Sequence, residues 1–143
     1  MPRFFRLEDA QRQLPELEPV VRSITSLKKS FEEVDLELRA CSERITLLGG
    51  AFVQREELAL KRRRRDSLAN TLKKSIDSVH EHGCVLKDLD EGLVDFPTLF
   101  RGEEVYLCWK LGEPAIEFWH GSTEGFRGRK PIDEEFLENH RGE

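Results

Sequence analysis

Residues 105–120 read VYLCWKLGEPAIEFWH, and this stretch decides the fold. Apolar and polar residues alternate on both sides of LGEP, a four-residue turn sequence, which is typical of an antiparallel hairpin of two half-buried strands. The turn predicts a register in which Lys110 lies opposite Ala115 and Tyr106 lies opposite Trp119. The face that we expect to form the core then comprises Val105, Leu107, Trp109, Ile116, Phe118 and His120.

The two-residue period extends upstream of this hairpin as far as Cys84. We predict a strand over 84–89, a turn at 90–92, a short strand over 93–96 that ends at Pro97, and a third strand over 104–110. These segments and the strand over 115–120 form a small antiparallel sheet. Downstream, we interpret the glycine-rich basic residues 121–131 as an arm, and the tail that begins at Asp133 as a frayed helix.

Before Gly83 the period is helical, because apolar residues recur at intervals of three and four from Leu7 to Leu48. A proline is comfortable only in the first turn of a helix. Pro15 and Pro19 therefore predict a short helix over 7–14 and a separate long helix that begins between 15 and 19. The long helix is predicted to run to Leu48 and to stop at the glycines 49–50. A second long helix is predicted over 54–82.

The predicted fold class is therefore α+β. It consists of a long antiparallel helical hairpin with a short N-terminal helix, packed with a small C-terminal antiparallel β-sheet. We predict a single domain over residues 1–143, with the helical hairpin at 7–82, the sheet at 84–120 and the arm and tail at 121–143.

Composition narrows the class of protein. The 143 residues carry a net charge of −5, and the acidic excess lies in the last third of the chain. No apolar run approaches the roughly 18 residues of a membrane-spanning helix, so we expect no membrane partner. The three cysteines are an odd number without the spacing of a zinc finger, which favours reduced thiols and a cytoplasmic location.

A run of five basic residues, 61–65, interrupts the second helix. Such a run can indicate phosphate binding. In an antiparallel hairpin, however, positions whose numbers sum to about 99 lie opposite each other, so the run meets the acidic residues 32–37. No aromatic residue interleaves with the run. We therefore favour ion pairs between the helices over nucleic-acid binding.

The C-terminal third also holds the candidate ligand-binding residues. Carboxylates and imidazoles are common ligands of divalent metals and common acid–base pairs. Each candidate also has a structural interpretation as a turn cap, a solvated charge or a strand-end hydrogen-bond donor, and Cys108 is interpreted as inert packing. A divalent metal is the only cofactor that the pattern suggests. The candidates are Asp88, Asp95, Glu113, His120 and Arg129, the last in a glycine-rich basic segment that could cradle an anion.

Several segments resemble the bacterial family known as domain of unknown function 2203. They include LPEL (14–17), KDLD (87–90), GLVDFP (92–97), VYLCW (105–109), LGEP (111–114) and GFRGR (125–129). The resemblance extends from the N-terminus to about residue 131, and it implies no assigned activity. The chain departs from the family pattern at Arg6, where relatives carry a Ser or Thr helix cap, so we expect the first helix to begin less sharply.

Three functions remain open from the sequence. The favoured hypothesis is a non-enzymatic scaffold or interaction protein that forms a homodimer through its long helices, as a coiled coil. The alternative is a metal-dependent or small-molecule enzyme that uses the carboxylate and histidine cluster. A minor alternative is nucleic-acid binding through residues 61–65. Reaction, substrate and small-molecule ligand stay open.

Overall fold

The computed structural model describes residues 4–47 and 52–141, with two long helices followed by an antiparallel sheet. Helix α1 spans Leu7–Leu47, and helix α2 spans Phe52–Glu81 and returns beside it. At 1.5 Å per residue, α1 is about 60 Å long. The α+β class and the helical hairpin are confirmed. The glycines predicted to end the first helix lie outside the described residues.

The separate N-terminal helix is wrong, because α1 continues through Pro15 and Pro19 without a break. Both prolines lie on the exposed side of the helix, where the backbone carbonyls that lose a donor can reach water. On the inner side, Leu14, Leu17 and Val21 are all buried. The continuous apolar stripe therefore outweighs the local preference of proline.

Within the described residues, the sheet contains six strands. They are β1 (Val85–Asp88), β2 (Leu93–Phe100), β3 (Glu103–Lys110), β4 (Phe118–Gly121), β5 (Lys130–Pro131) and β6 (His140–Arg141). The antiparallel order is β1-β2-β3-β4-β5, and β6 pairs with β2. A short helix, α3 (Glu134–Asn139), precedes β6. The segment predicted to be an arm contributes β5 to the sheet. The helix predicted from Asp133 is present as α3, but it is not a frayed tail, because it buries Phe136 in the core and leads into β6.

Strand β2 does not end at Pro97, as the sequence predicts, but continues to Phe100. Strand β1 is short and pairs only with Leu93, Val94 and Asp95, so Pro97 lies beyond its end. A proline is tolerated in a strand where no neighbour requires its missing N–H. The Pro97 carbonyl instead accepts a hydrogen bond of 2.7 Å from the Phe5 N–H.

The core lies between one face of the sheet and the base of the hairpin. It joins Phe5 and the first half of α1 to the end of α2 and to inward-facing residues of β2 and β3. Lys28 of α1 forms an ion pair of 2.7 Å with Asp90 of the β1–β2 turn. Farther along α1, three residues are buried but lie outside that core: Val34, Leu38 and Cys41. The distal hairpin, about 30 Å long, therefore projects past the sheet.

The predicted ion pairs between the helices are confirmed at the basic run. Lys61 lies 3.2 Å from Glu37, and Arg65 lies 3.9 Å from Asp35. In the part of the chain that the structure describes, no helix is both long and apolar enough to cross a membrane. All three cysteines fall within the described ranges, and each is buried without a disulfide.

Candidate metal centre

The β3–β4 register differs by one residue from the predicted one, and this difference creates the site. Tyr106 pairs with His120, and Leu107 pairs with Trp119. A shift of one residue turns every side chain to the opposite face of a strand. His120 and Phe118 therefore face away from the helices, contrary to the prediction, whereas Ile116 lies in the core as expected.

Three potential metal ligands meet on the face that is turned away from the helices. Asp95 of β2 lies directly opposite Cys108 of β3, and His120 follows on β4. One ligand atom from each residue lies within 4.8 Å of the other two. The three side chains are almost completely buried, since Asp95 and Cys108 are 2% exposed and His120 is 4% exposed.

The hydrogen bonds of His120 orient its ring. The Nδ1–H group donates to the Gly121 carbonyl oxygen at 2.9 Å, and this assigns Nε2 as the atom without a hydrogen in a neutral ring. Nε2 lies 3.0 Å from Oδ2 of Asp95. A neutral imidazole nitrogen and a carboxylate oxygen are both acceptors. A contact this short therefore requires either one shared proton or a cation between the two atoms.

Cys108 is a protonated thiol in this environment. Burial, followed by the charge of Asp95, raises the pKa of the Cys108 thiol to about 12. The geometry also excludes a triad in which histidine bridges a nucleophile and a carboxylate, because Nδ1 is occupied by Gly121 and only Nε2 faces Asp95. The thiol hydrogen-bonds to Asp95, and a bound metal ion would deprotonate it and make it a ligand.

The three ligands line a pocket of about 200 Å³. Its other lining residues are Lys87, Leu93, Tyr106, Ser122, Glu124, Gly125 and Phe126. The Lys87 ammonium group lies 5.9 Å from the centre of the Tyr106 ring, and that ring lies 5.5 Å from the ring of His120. Burial, together with the charges of Glu104 and Asp95, raises the pKa of Tyr106 and keeps its hydroxyl protonated.

The segment between β4 and β5 borders the pocket, and hydrogen bonds to Glu124 stabilise it. The Glu124 carboxylate accepts hydrogen bonds from the Gly121 N–H at 3.1 Å and from Lys130 at 3.0 Å. The Lys130 hydrogen bond is the main reason why the pKa of Glu124 is lowered. A Cβ atom at Gly128 would lie 2.7 Å from Glu124 Oε2, so the segment packs closely on this carboxylate.

Asp88, Glu113 and Arg129 do not join the three ligands. Asp88 Oδ1 accepts from the N–H groups of Asp90 and Glu91 and so caps the β1–β2 turn. Glu113 accepts from the Lys110 N–H at 2.6 Å and forms an ion pair of 2.5 Å with Arg129. The five sequence candidates thus form two pairs and one separate turn cap: Asp95 meets His120, and Glu113 meets Arg129, which also donates to the Cys108 carbonyl oxygen at 3.3 Å. Cys108, which the sequence interpretation set aside, is the third potential metal ligand beside Asp95 and His120.

The additional pocket residues carry little sequence signal. Lys87 and Tyr106 lie on strands whose register has to be known before their side chains can be placed on a face. The alternation of Tyr106, Cys108 and Lys110 on one face of β3 is visible in the sequence. That alternation was the one available indication that Cys108 faces away from the core.

The fold and pocket define an α+β protein whose helical hairpin supports a sheet with a polar pocket on its opposite face. The chain belongs to the family described as Uncharacterized conserved protein (DUF2203), whose model matches residues 3–132. This match confirms the resemblance seen in the sequence. Comparisons with curated proteins and with solved structures find no match.

Proposed function

We propose that Asp95, Cys108 and His120 bind a divalent transition-metal ion, for which zinc fits best, and that the chain is a metal-dependent enzyme acting on a small polar molecule. The observation that carries the proposal is the orientation of His120. Its Nδ1–H group is held by a backbone carbonyl, so Nε2 is directed at the other two ligands. Histidines that bind metals typically donate the other ring N–H to a carbonyl or carboxylate oxygen in this way.

The donor set supports a zinc-type ion rather than magnesium or calcium. Mg²⁺ and Ca²⁺ prefer oxygen ligands, whereas a set of one thiolate, one imidazole and one carboxylate suits zinc. Around a tetrahedral zinc ion, neighbouring donor atoms lie about 3.3–3.8 Å apart. Ligand atoms that already lie within 4.8 Å of one another need only small side-chain movements to reach this spacing.

The number of ligands supports a catalytic site rather than a structural one. Structural zinc sites have four protein ligands, whereas catalytic sites have three and leave one position open. Three ligands converge among the described residues, and all three line the pocket. Zinc bound in this way would supply an activated water at neutral pH. A reducing cytoplasm, which the sequence predicts, would keep the Cys108 thiol available.

The test is the metal content of untagged protein purified without chelator, compared between two cysteine variants. Cys84 is a matched control because it is also buried, its pKa is also raised to about 12 by burial, and it lies outside the pocket. We expect about one zinc per chain in the native protein and in C84S, and little in C108S. Equal metal content in C108S and C84S would contradict the proposal.

A second candidate function is self-association, in which a second copy covers the projecting hairpin. Leu36 and Leu60 are 65% and 60% exposed there, at similar heights on the two helices. The exposed side of α1 is acidic near Glu33, whereas Arg62, Arg63 and Arg64 on α2 are exposed and basic. A two-fold pairing can place the acidic strip of one copy against the basic strip of the other.

Light scattering tests this homodimer. We expect the mass of a dimer for the native chain and a monomer for L36E, because a buried carboxylate at a two-fold interface disrupts both halves at once. Val34 is unsuitable for this test, since it is buried and a charged residue in its place would destabilise the hairpin itself. A monomer mass for the native chain would remove this candidate.

A further inference from the structure

The rim of the pocket carries hydrogen-bond donors that the protein itself does not use. Lys87, Tyr106 and Ser122 line the pocket. Lys87 contacts the face of the Tyr106 ring. Within residues 4–47 and 52–141, no protein acceptor engages the Lys87 ammonium, the Tyr106 hydroxyl or the Ser122 hydroxyl. These three groups are therefore available to a ligand.

The negative charges of the pocket, in contrast, are already engaged. The Glu124 carboxylate binds Lys130 and the Gly121 N–H. Asp95 contacts His120 at 3.0 Å. With a divalent ion bound, the charges of Asp95 and of a Cys108 thiolate are balanced by the metal. Among the residues that line the pocket, the charge left without a partner is then that of Lys87. Glu104 lies close enough to raise the pKa of Tyr106 but does not line the pocket.

The size of the pocket limits its ligand. Its volume of about 200 Å³ is somewhat larger than that of a cavity of roughly 150 Å³ that holds one benzene molecule. A ligand of only a few non-hydrogen atoms fits this space. A nucleotide or a peptide would have to extend outside it.

From these observations we infer that the ligand of this pocket is a small oxyanion, a carboxylate or a phosphate, with one oxygen on the open metal position and its charge paired with Lys87. The inference rests on the proposed metal site. An oxyanion suits both ends of the pocket, because a zinc-type ion accepts an oxygen ligand and an ammonium group forms charge-assisted hydrogen bonds with anionic oxygens. Tyr106 and Ser122 supply further donors beside them.

The experiment uses Co²⁺ in place of zinc, because the visible absorption of tetrahedral Co²⁺ changes when a ligand at the metal is exchanged. The Co²⁺-loaded full chain is titrated with acetate, with inorganic phosphate and with neutral acetamide. Two variants are compared: K87Q, and K74Q as a control, because Lys74 is an exposed lysine of α2 that does not line the pocket.

We expect acetate or phosphate to change the spectrum in a saturable way, with affinity roughly tenfold weaker in K87Q than in the native chain and unchanged in K74Q. The anion that binds with the higher affinity identifies the ligand class as carboxylate or phosphate. Equal affinities in K87Q and K74Q, or acetamide binding as tightly as the anions, would overturn the inference while leaving the metal site in place. Absence of tetrahedral Co²⁺ bands would overturn the metal site and this inference with it.

Discussion

The Nε2 atom of His120 lies 3.0 Å from Oδ2 of Asp95, and both side chains are almost fully buried. Because Nδ1 is already bonded to the Gly121 carbonyl, this contact needs a proton or a metal ion to bring the two acceptors together. The pair is therefore the observation on which the proposed metal site rests.

In the metal-free protein, we expect the effects of replacing His120 and Asp95 on the free energy of unfolding to be strongly coupled. Removing one partner of a buried pair leaves the other without compensation, so H120A or D95A should each lower the free energy of unfolding by about 3–5 kcal/mol. The double variant should cost about 1–3 kcal/mol less than the sum. Urea denaturation with a chelator present measures these values. Additivity of the two single changes would show that the side chains do not interact.

Two glycines with positive φ angles should respond very differently to alanine. Gly92 has φ +70°, and a Cβ there would lie 2.8 Å from Leu111 Cβ and 3.0 Å from Val21 Cγ1. Gly102 has φ +81°, with no atom within 4 Å of a Cβ. G92A combines backbone strain with overpacking and should cost about 2–4 kcal/mol, whereas G102A should cost about 1–2 kcal/mol. Thermal unfolding compares them, and similar losses would contradict the close packing of the β1–β2 turn on α1.

The start of α1 should make stability depend on pH. His140 Nε2 accepts a hydrogen bond of 2.8 Å from the Leu7 N–H, which supplies the cap that Arg6 does not provide. Burial is the main reason why the pKa of His140 is lowered from 6.5. Because the unfolded chain then binds the proton more readily, this contribution is complete above about pH 6.5 and declines as the pH falls towards the folded-state pKa.

We therefore expect the unfolding temperature of the native chain to fall more steeply between pH 7.5 and 5 than that of H140Q, whose glutamine can accept the same hydrogen bond without titrating. H80Q serves as a control, since His80 is exposed. Parallel pH profiles for the native chain and H140Q would rule out this role for His140.

Arg129 should matter for stability, and its neighbour Lys130 should not. Arg129 is 12% exposed, pairs with Glu113 at 2.5 Å and stacks 4.1 Å from the centre of the Phe118 ring. R129Q leaves Glu113 without its partner and should cost about 1–3 kcal/mol. Lys130 forms an exposed pair with Glu124, so K130Q should cause little measurable change. Equal effects in denaturant titrations would contradict the anchoring role of Arg129.

Local sequence patterns predicted which helices and strands form. The residues at which these elements begin and end depend on tertiary interactions. The apolar stripe of α1 and the alternation of β3 were readable because each is periodic. The burial of this stripe also keeps α1 helical through Pro15 and Pro19. That burial depends on tertiary packing, which the local sequence does not show. Pro97 was tolerated because β1 is too short to reach it, and the length of a neighbouring strand is not a local property of the sequence.

The site was only partly predictable for a related reason. Asp95 and His120 were candidates on chemical grounds, but so were Asp88 and Glu113, whose carboxylates accept hydrogen bonds from turn amides. Cys108 was set aside because a cysteine in an aromatic strand is usually inert packing. The β3–β4 register, one residue from the predicted one, decides that His120 joins Cys108 and Asp95 rather than the core.

X-ray absorption at the zinc edge of the loaded protein tests the metal centre most directly, because it counts sulfur ligands. We predict one sulfur at about 2.3 Å, with nitrogen and oxygen ligands at about 2.0–2.2 Å, and loss of the sulfur signal in C108S but not in C84S. A first shell without sulfur, or one that is unchanged in C108S, would contradict the proposal that Asp95, Cys108 and His120 bind the metal.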